Sequence, residues 1–312
     1  VGGQVDILGT ASDFGLTEYI LELGPVNPDY SVDYEVLASG QDNVNDGVLG
    51  TLDTTLLANG FYRIRLTAED DSGKVSSLSK DILISGENKT GPFTLTLTEL
   101  EVPMDGIDIS VYRIYDSREK SRSRDFGRGW HVEVFKEGTY RNNRPPYEGW
   151  DTTIVTWPVP QCKSCSETID HMTEIRFSDT EFYRFVPVVN TTGAYLMGGY
   201  CEGRFEYRQV GGLPGAALEV VGDNMVLAGG GMITDYGFQD YEPRKVRLTT
   251  RNGQKVELDL TQGVTKIEDA NGNAMTISDS GVTHSSGKTI NFTRDGQGRI
   301  TAITDPAGNS LG

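Results

Sequence analysis

The chain of 312 residues has only three cysteines and three histidines. It also lacks any apolar run near the roughly 18 residues that cross a bilayer as a helix. A disulfide scaffold needs more thiols than this, and a membrane-spanning helix is excluded. Basic residues are scarce: 28 Lys and Arg stand against 45 Asp and Glu, a net charge of −17. Such a balance repels the phosphates of nucleic acid and of anionic lipid, so neither is an expected partner. Helical periodicity is missing too. Nowhere do apolar residues recur at i, i+3, i+4 and i+7 over three turns with caps, which excludes most dinucleotide-binding and P-loop folds. What the chain has in excess is glycine, 38 residues, about 12% against a usual share of roughly 7%, which predicts many tight turns.

The opening Val1-Gly2-Gly3-Gln4 has no charged segment followed by an apolar run. The chain stops at Asn309-Ser310-Leu311-Gly312 inside a repeating pattern, and it reads as a piece of a longer polypeptide. Charge is unevenly spread. Residues 1–86 carry ten Asp and four Glu against Arg63, Arg65, Lys74 and Lys80. This step in charge and the breaker-rich Ser85-Gly86-Glu87-Asn88-Lys89-Thr90-Gly91-Pro92 place a domain boundary near residue 88.

Before that boundary apolar residues alternate with period two, as in Tyr19, Leu21 and Leu23, and again in Tyr62, Ile64, Leu66 and Ala68. Turn signals at Gly24-Pro25, Gly40, Asp46-Gly47, Asn59-Gly60 and Asp71-Ser72-Gly73 recur at the interval of a β-sandwich. Leu57-Ala58-Asn59-Gly60-Phe61-Tyr62 reads as a tyrosine corner, so an immunoglobulin-like or fibronectin-like module is expected. After the boundary the pattern stays β-rich. Val246 and Leu248 lead through Asn252-Gly253 to Val256, Leu258 and Leu260, and the Asn-Gly pair predicts a two-residue hairpin turn. Asp269-Ala270-Asn271-Gly272, Asp295-Gly296-Gln297-Gly298 and Asp305-Pro306-Ala307-Gly308 share an Asp-x-x-Gly signature. The glycine runs Gly211-Gly212 and Gly229-Gly230-Gly231 read as hairpin connections or bulges.

Phe292-Thr293-Arg294-Asp295-Gly296-Gln297-Gly298-Arg299 resembles the repeat of the RHS, or YD-repeat, family, with Phe292 at the position of the family tyrosine. Upstream, Tyr112-Arg113-Ile114-Tyr115-Asp116-Ser117-Arg118 and then Phe126-Gly127-Arg128-Gly129-Trp130 are similar to the segment that opens the RHS region in bacterial members. The resemblance spans roughly residues 100 to 312. It implies a large secreted or cell-surface bacterial protein whose hairpins wind into a spiral β-sheet and close as a hollow shell, which in toxin members holds a C-terminal toxic domain. The residues carrying that motif structure here are Tyr112, Arg113, Tyr115, Asp116, Ser117, Gly127, Gly129, Trp130, Asp269, Gly272, Asp295, Gly298, Arg299, Asp305 and Gly308.

Several residues capable of chemistry also have plainer readings. Cys162-Lys163-Ser164-Cys165, His171 and Cys201 could supply four ligands to a tetrahedral zinc. A lone Cys-x-x-Cys lacks the second close pair of a structural site, however. A disulfide from Cys201 to Cys162 or Cys165 is favoured over it, as suits an exported protein. Calcium finds no EF-hand: Val44 occupies the third position after Asp42, and Ala274 replaces the sixth-position glycine after Asp269. Glu69, Asp70 and Asp71 remain as a different calcium option, with solvated loop charge as the default. Gly308-Asn309-Ser310-Leu311-Gly312 spells a nucleophile elbow without the helix that elbow requires, and Asp125-Phe126-Gly127 copies a kinase triplet without its partners. The basic stretch Arg113, Arg118, Lys120, Arg122, Arg124 and Arg128 is interleaved with acids and reads as a solvated, ion-paired loop. Trp130, Trp150 and Trp157 with Tyr147, Tyr195 and Tyr200 suit core packing better than a sugar-binding face.

The expected architecture is therefore all-β. An immunoglobulin-like β-sandwich over 1–88 precedes an RHS N-terminal β-rich segment over 89–240, and the first YD-type β-hairpins of a shell follow over 241–312. The expected role is a non-enzymatic structural part of a secreted or surface RHS-repeat protein, without an obligate cofactor. Its partners are then the remainder of the same polypeptide and a toxin or other cargo. The alternative is an adhesin-type module that binds a surface glycan or protein.

Overall fold

The computed structural model describes residues 3–86, 93–104, 106–117, 120, 122–135, 138–196 and 198–312. The linker residues Glu87 to Pro92, and Arg118 of the opening motif, lie outside the described residues. The chain divides into two compact units, Val1–Gly91 and Pro92–Gly312. Strands dominate both, and among the described residues there is no α-helix. The protein is all-β.

The first unit runs β1 (Gln4–Ala11), β2 (Leu16–Pro25), β3 (Glu35–Gly40), β4 (Val44–Asp53), a single 3-10 turn at Thr54–Leu56, β5 (Gly60–Asp70) and β6 (Val75–Ile84). They form two antiparallel sheets, β1–β4 and β3–β2–β5–β6. Period-two patterning decides the faces: Tyr19, Leu21 and Leu23 are buried between the sheets with Leu49, Leu52, Tyr62 and Ile84. On the outer face Arg65 pairs with Glu22 at 2.7 Å and Arg63 with Asp81 at 2.6 Å. Gly40 is the last residue of β3, and two further turn signals fall inside strands. Gly24-Pro25 ends β2, where Pro25 lies opposite Tyr62 and the pairing with β3 has already stopped at Leu23. An imide nitrogen costs no ladder bond there. Asp46-Gly47 is a bulge in β4, with Asp46 at φ +45° and a register shift across from it between Gly9 and Ala11.

The second unit opens with β7 (Thr94–Val102), β8 (Ile109–Asp116), β9 (Ser123–Arg124), β10 (Gly127–Arg128) and β11 (Trp130–Glu133), one sheet in the order β7–β8–β11–β10–β9. Next come β12 (Thr139–Asn142), β13 (Trp150–Val155), β14 (Gln161–Glu167), β15 (Thr173–Arg176), β16 (Phe182–Leu196), β17 (Tyr200–Gly212), β18 (Ala217–Val220), β19 (Met225–Gly229) and β20 (Met232–Thr234). Of these, β12–β15–β16–β17–β19–β20 form a six-stranded sheet and β13–β14 a separate hairpin. Gly230 and Gly231 both have positive φ and form a two-residue turn between β19 and β20.

The repeats follow as β21 (Lys245–Thr249), β22 (Lys255–Asp259), β23 (Gly263–Glu268), β24 (Ala274–Ser278), β25 (Gly281–His284), β26 (Thr289–Arg294), β27 (Ile300–Thr304) and β28 (Ser310–Leu311). With β18 at one edge they make a nine-stranded antiparallel sheet in chain order, curled into a half-barrel. Its inner face carries Val246, Leu248, Val256, Leu258, Ile267, Met275, Val282 and Ile290, all essentially inaccessible to solvent. The outer face pins register with cross-strand charge pairs, Arg247 to Glu257 and Lys255 to Glu268, each at 2.8 Å. What fills the concave face is the earlier part of the same unit. Ile109, Val111, Val134, Tyr140, Ile175, Tyr183 and Phe185 belong to one continuous core with the repeat residues. Each such aliphatic side chain contributes about 2 kcal/mol by burial, so the curl is held by its filling.

Candidate functional site

Five residues close each of the Asp-x-x-Gly hairpins. In Asp269-Ala270-Asn271-Gly272-Asn273 the Asp269 N–H donates to the Asn273 carbonyl at 2.9 Å, and the Gly272 N–H donates back to the Asp269 carbonyl at 3.2 Å. Gly272 has φ +89°, so this is a three-residue loop: a type I turn followed by one left-handed residue. The Asp269 carboxylate accepts from the N–H groups of Asn271 and Asn273 at 2.8 and 2.9 Å, and from the Asn273 side-chain amide at 2.8 Å. It thereby satisfies backbone donors that the ladder leaves over. Asp295 and Asp305 make the same contacts, with the Arg299 guanidinium or the Asn309 amide as the side-chain donor. These donors hold all three carboxyls below the usual carboxylate range. The largest cause is the Asn273 amide for Asp269, the Arg299 N–H for Asp295 and the Asn309 amide for Asp305.

The same loop recurs with other residues, which the Asp-x-x-Gly signature does not reveal. Thr250-Arg251-Asn252-Gly253-Gln254 closes between Thr250 and Gln254, so the expected two-residue Asn252-Gly253 turn is corrected to a three-residue loop. Only Gly253 is left-handed there, at φ +80°. His284 takes the place of Asp in the loop ending at Lys288, with Nδ1 accepting the Ser286 N–H at 3.1 Å. Asp235 closes a loop on Gln239 in which Phe238, at φ +58°, stands where the others have glycine. The signal that finds these loops is the five-residue spacing between strands rather than the identity of the first residue.

The opening motif ties its own sheet together. Tyr115 packs on Trp130 at 5.2 Å and on Phe93 at 6.2 Å. Gly129, at φ +75°, lies where a Cβ would come within 2.8 Å of the Tyr115 ring, so no larger residue fits. The buried Asp116 donates its N–H to the Gly129 carbonyl at 2.9 Å, and Ser117 Oγ accepts the Phe93 N–H at 2.8 Å. Arg113 lies 2.8 Å from Glu99, an ionic approach without hydrogen-bond alignment, and stacks over Phe126 at 4.4 Å. Tyr112 pairs with Glu133 and Thr98, and Gly127 with Arg124 and Trp130. Asp125, the first residue of the kinase-like triplet, joins this sheet to the repeats. Its carboxylate accepts from Arg294 Nη1 at 2.7 Å and from the Val132 N–H at 3.0 Å, while its carbonyl accepts the Ile300 N–H at 2.7 Å.

The four candidate zinc ligands do not assemble. Cys162 and Cys201 form a disulfide across 39 residues, tying the β13–β14 hairpin to β17 within a core that contains Trp150, Phe205 and Ile233. His171 stacks on Trp150 at 5.5 Å and lies 3.1 Å from Glu167 through Nδ1, and burial pushes its pKa down. Cys165 remains a thiol, which burial, assisted by Asp151, pushes up to about 12. No group of three or more His, Cys, Asp or Glu side chains is placed to hold a metal among the described residues. Asp70 instead accepts the Ser72 and Lys74 N–H groups in the turn after β5. Ser310 begins β28 with Gly308 as the left-handed residue of a hairpin turn, a setting without the helix of an elbow. The tryptophans are dispersed: Trp150 is buried, Trp130 packs on Tyr115 and Trp157 is 83% exposed.

These features define a class: an all-β protein in which turn-capped hairpins extend one sheet around strands from earlier in the chain. Residues 269–310 match the RHS Repeat family, which supports an RHS/YD-repeat assignment for the hairpins within that span. No curated protein and no solved structure matches the chain. No helix among the described residues is long and apolar enough to cross a membrane.

Proposed function

We propose that the chain is a non-enzymatic building element of a secreted or cell-surface RHS-repeat protein. In this reading the repeats form part of a β-shell wall, and residues 93–240 fill and seal one end of the shell around a C-terminal toxin or other cargo. The single observation that carries this reading is the continuous core that runs from Ile109 and Phe185 to the inner faces of successive repeat strands, clasped by Asp125 and Arg294. The disulfide suits an exported protein. The first unit is read as immunoglobulin-like. Its sheets follow the B–E and C′–C–F–G neighbours of that sandwich, with β1 as B, β4 as E and Tyr62 at the start of F. It serves as a spacer or contact module.

The test extends the chain beyond Gly312 with further repeats and a folded reporter, then exposes it to protease. Protection of the reporter that disappears on unfolding the repeats is expected; digestion at the rate of the free reporter would defeat the container reading. Hydrolytic turnover unchanged by Ser310→Ala is the matching expectation for a protein without catalysis. A glycan array with and without calcium addresses the adhesin alternative, since a scaffold shows no saturable binding.

A further inference from the structure

The β13–β14 hairpin forms a two-stranded sheet of its own and packs on β16, β17, β19 and β20. Its last ladder pair joins Val155 to Gln161, and every residue from Val155 to Gln161 is exposed. Three apolar side chains project there: Trp157 is 83% exposed, Val159 62% and Val155 46%. No charged residue occurs from Thr152 to Cys162. Cys162, next to the last pair, is bonded to Cys201, and Tyr195, 38% exposed, lies opposite Cys201 in the β16–β17 ladder. The stretch from Thr191 to Cys201 carries no charge either, so the disulfide holds two uncharged hairpin ends side by side.

We propose that this end docks on the surface of an electrically neutral lipid bilayer, with Trp157 entering the interface first. The exposed run is convex and bare on both faces, so a lipid surface envelops it without a pocket of matching shape. Placing it among headgroups strands few backbone donors, because Pro158 and Pro160 have no N–H and the ladder pairs the residues below them. Trp and Tyr are the side chains that settle at a membrane surface, where the ring is buried while the indole N–H or phenol O–H stays wet. The run brings no cation, and a protein of net charge −17 is repelled by anionic lipid, so the matching surface is neutral. Asp151 and Lys163, the first charges on either side, set the depth at which docking stops. The disulfide fixes the hairpin end beforehand, so little ordering opposes docking. The inference goes beyond the container reading and stands without it.

The test floats the full, oxidised chain with phosphatidylcholine vesicles and reads tryptophan quenching by brominated acyl chains. Flotation is expected, with quenching that disappears in Trp157→Ser and a partition that falls about tenfold in that variant, because one apolar side chain is worth that much. Val159→Asp should act in the same direction, whereas Leu213→Ser, an exposed apolar position beyond the other end of β17, should change nothing. Trp157 and Val159 are exposed, so both variants keep their fold, checked by circular dichroism. Adding phosphatidylserine should weaken binding at low salt. No flotation, which would leave the hairpin end to a protein partner, flotation unchanged by Trp157→Ser, or binding confined to anionic vesicles overturns the proposal. So does a Trp157-dependent dimer in sedimentation without lipid.

Discussion

Breaking the Cys162–Cys201 bond should destabilise the second unit by an amount set chiefly by the loop it closes. The cysteines are 39 residues apart, and the chain-entropy relation gives about 4 kcal/mol for a loop of that length. Both side chains are buried and the bond anchors the β13–β14 hairpin, so no alternative crosslink compensates. For a unit of about 220 residues each kcal/mol moves the midpoint by roughly 2–4 °C, which predicts a fall of about 8–16 °C. Scanning calorimetry of the oxidised protein, the reduced protein and Cys162→Ala/Cys201→Ala measures it. A thiol titration in denaturant should find only Cys165 before reduction. In the folded protein Cys165 should resist iodoacetamide at pH 8, because burial keeps it protonated. Midpoints agreeing within about 2 °C, or three titratable thiols before reduction, would refute the reasoning.

Asp125→Ala should cost about 2 kcal/mol by urea unfolding, since it leaves the Val132 N–H without its acceptor and takes the carboxylate from Arg294, which keeps only the Asp279 and Gly298 carbonyls. Arg294→Ala should be sub-additive with it in a double-mutant cycle, and full additivity would remove the clasp. Gly298→Ala should cost roughly 1 kcal/mol, because the residue sits at φ +80°, whereas Phe238→Gly should relieve the equivalent strain while losing the Tyr200 contact. The turn carboxyls of Asp269, Asp295 and Asp305 have folded pKa values below their unfolded ones. The stability they contribute is therefore present above about pH 4 and lost as pH falls through the folded values, which acid titration of the thermal midpoint checks. His171 is also depressed. The unfolded chain takes up its proton first, so stability should decline below about pH 6.5, and His171→Asn should flatten urea midpoints between pH 7 and 5.

Much of the fold was legible because strand periodicity is local. Tyr19, Leu21 and Leu23 alternate with polar residues, and Val256 and Leu258 with Lys255 and Glu257, so the buried face followed from pattern alone. Turn chemistry was legible where one residue carries it. Asp and Gly at 295 and 298 announce their loop, whereas Thr250, His284 and Phe238 hide theirs, because backbone closure tolerates several first residues. Gly24-Pro25 and Asp46-Gly47 misled for the converse reason: the same residue types that make turns also end strands and form bulges.

By itself the sequence determined that the protein is all-β, acidic and built at its end from repeated Asp-x-x-Gly hairpins, since each of these depends on neighbours within a few residues. The tertiary structure decided which cysteine joins Cys201, what fills the concave face of the repeats and that Asp125 clasps Arg294. Those partners lie 39 to 169 residues apart, and only the folded path of the chain brings them within bonding distance.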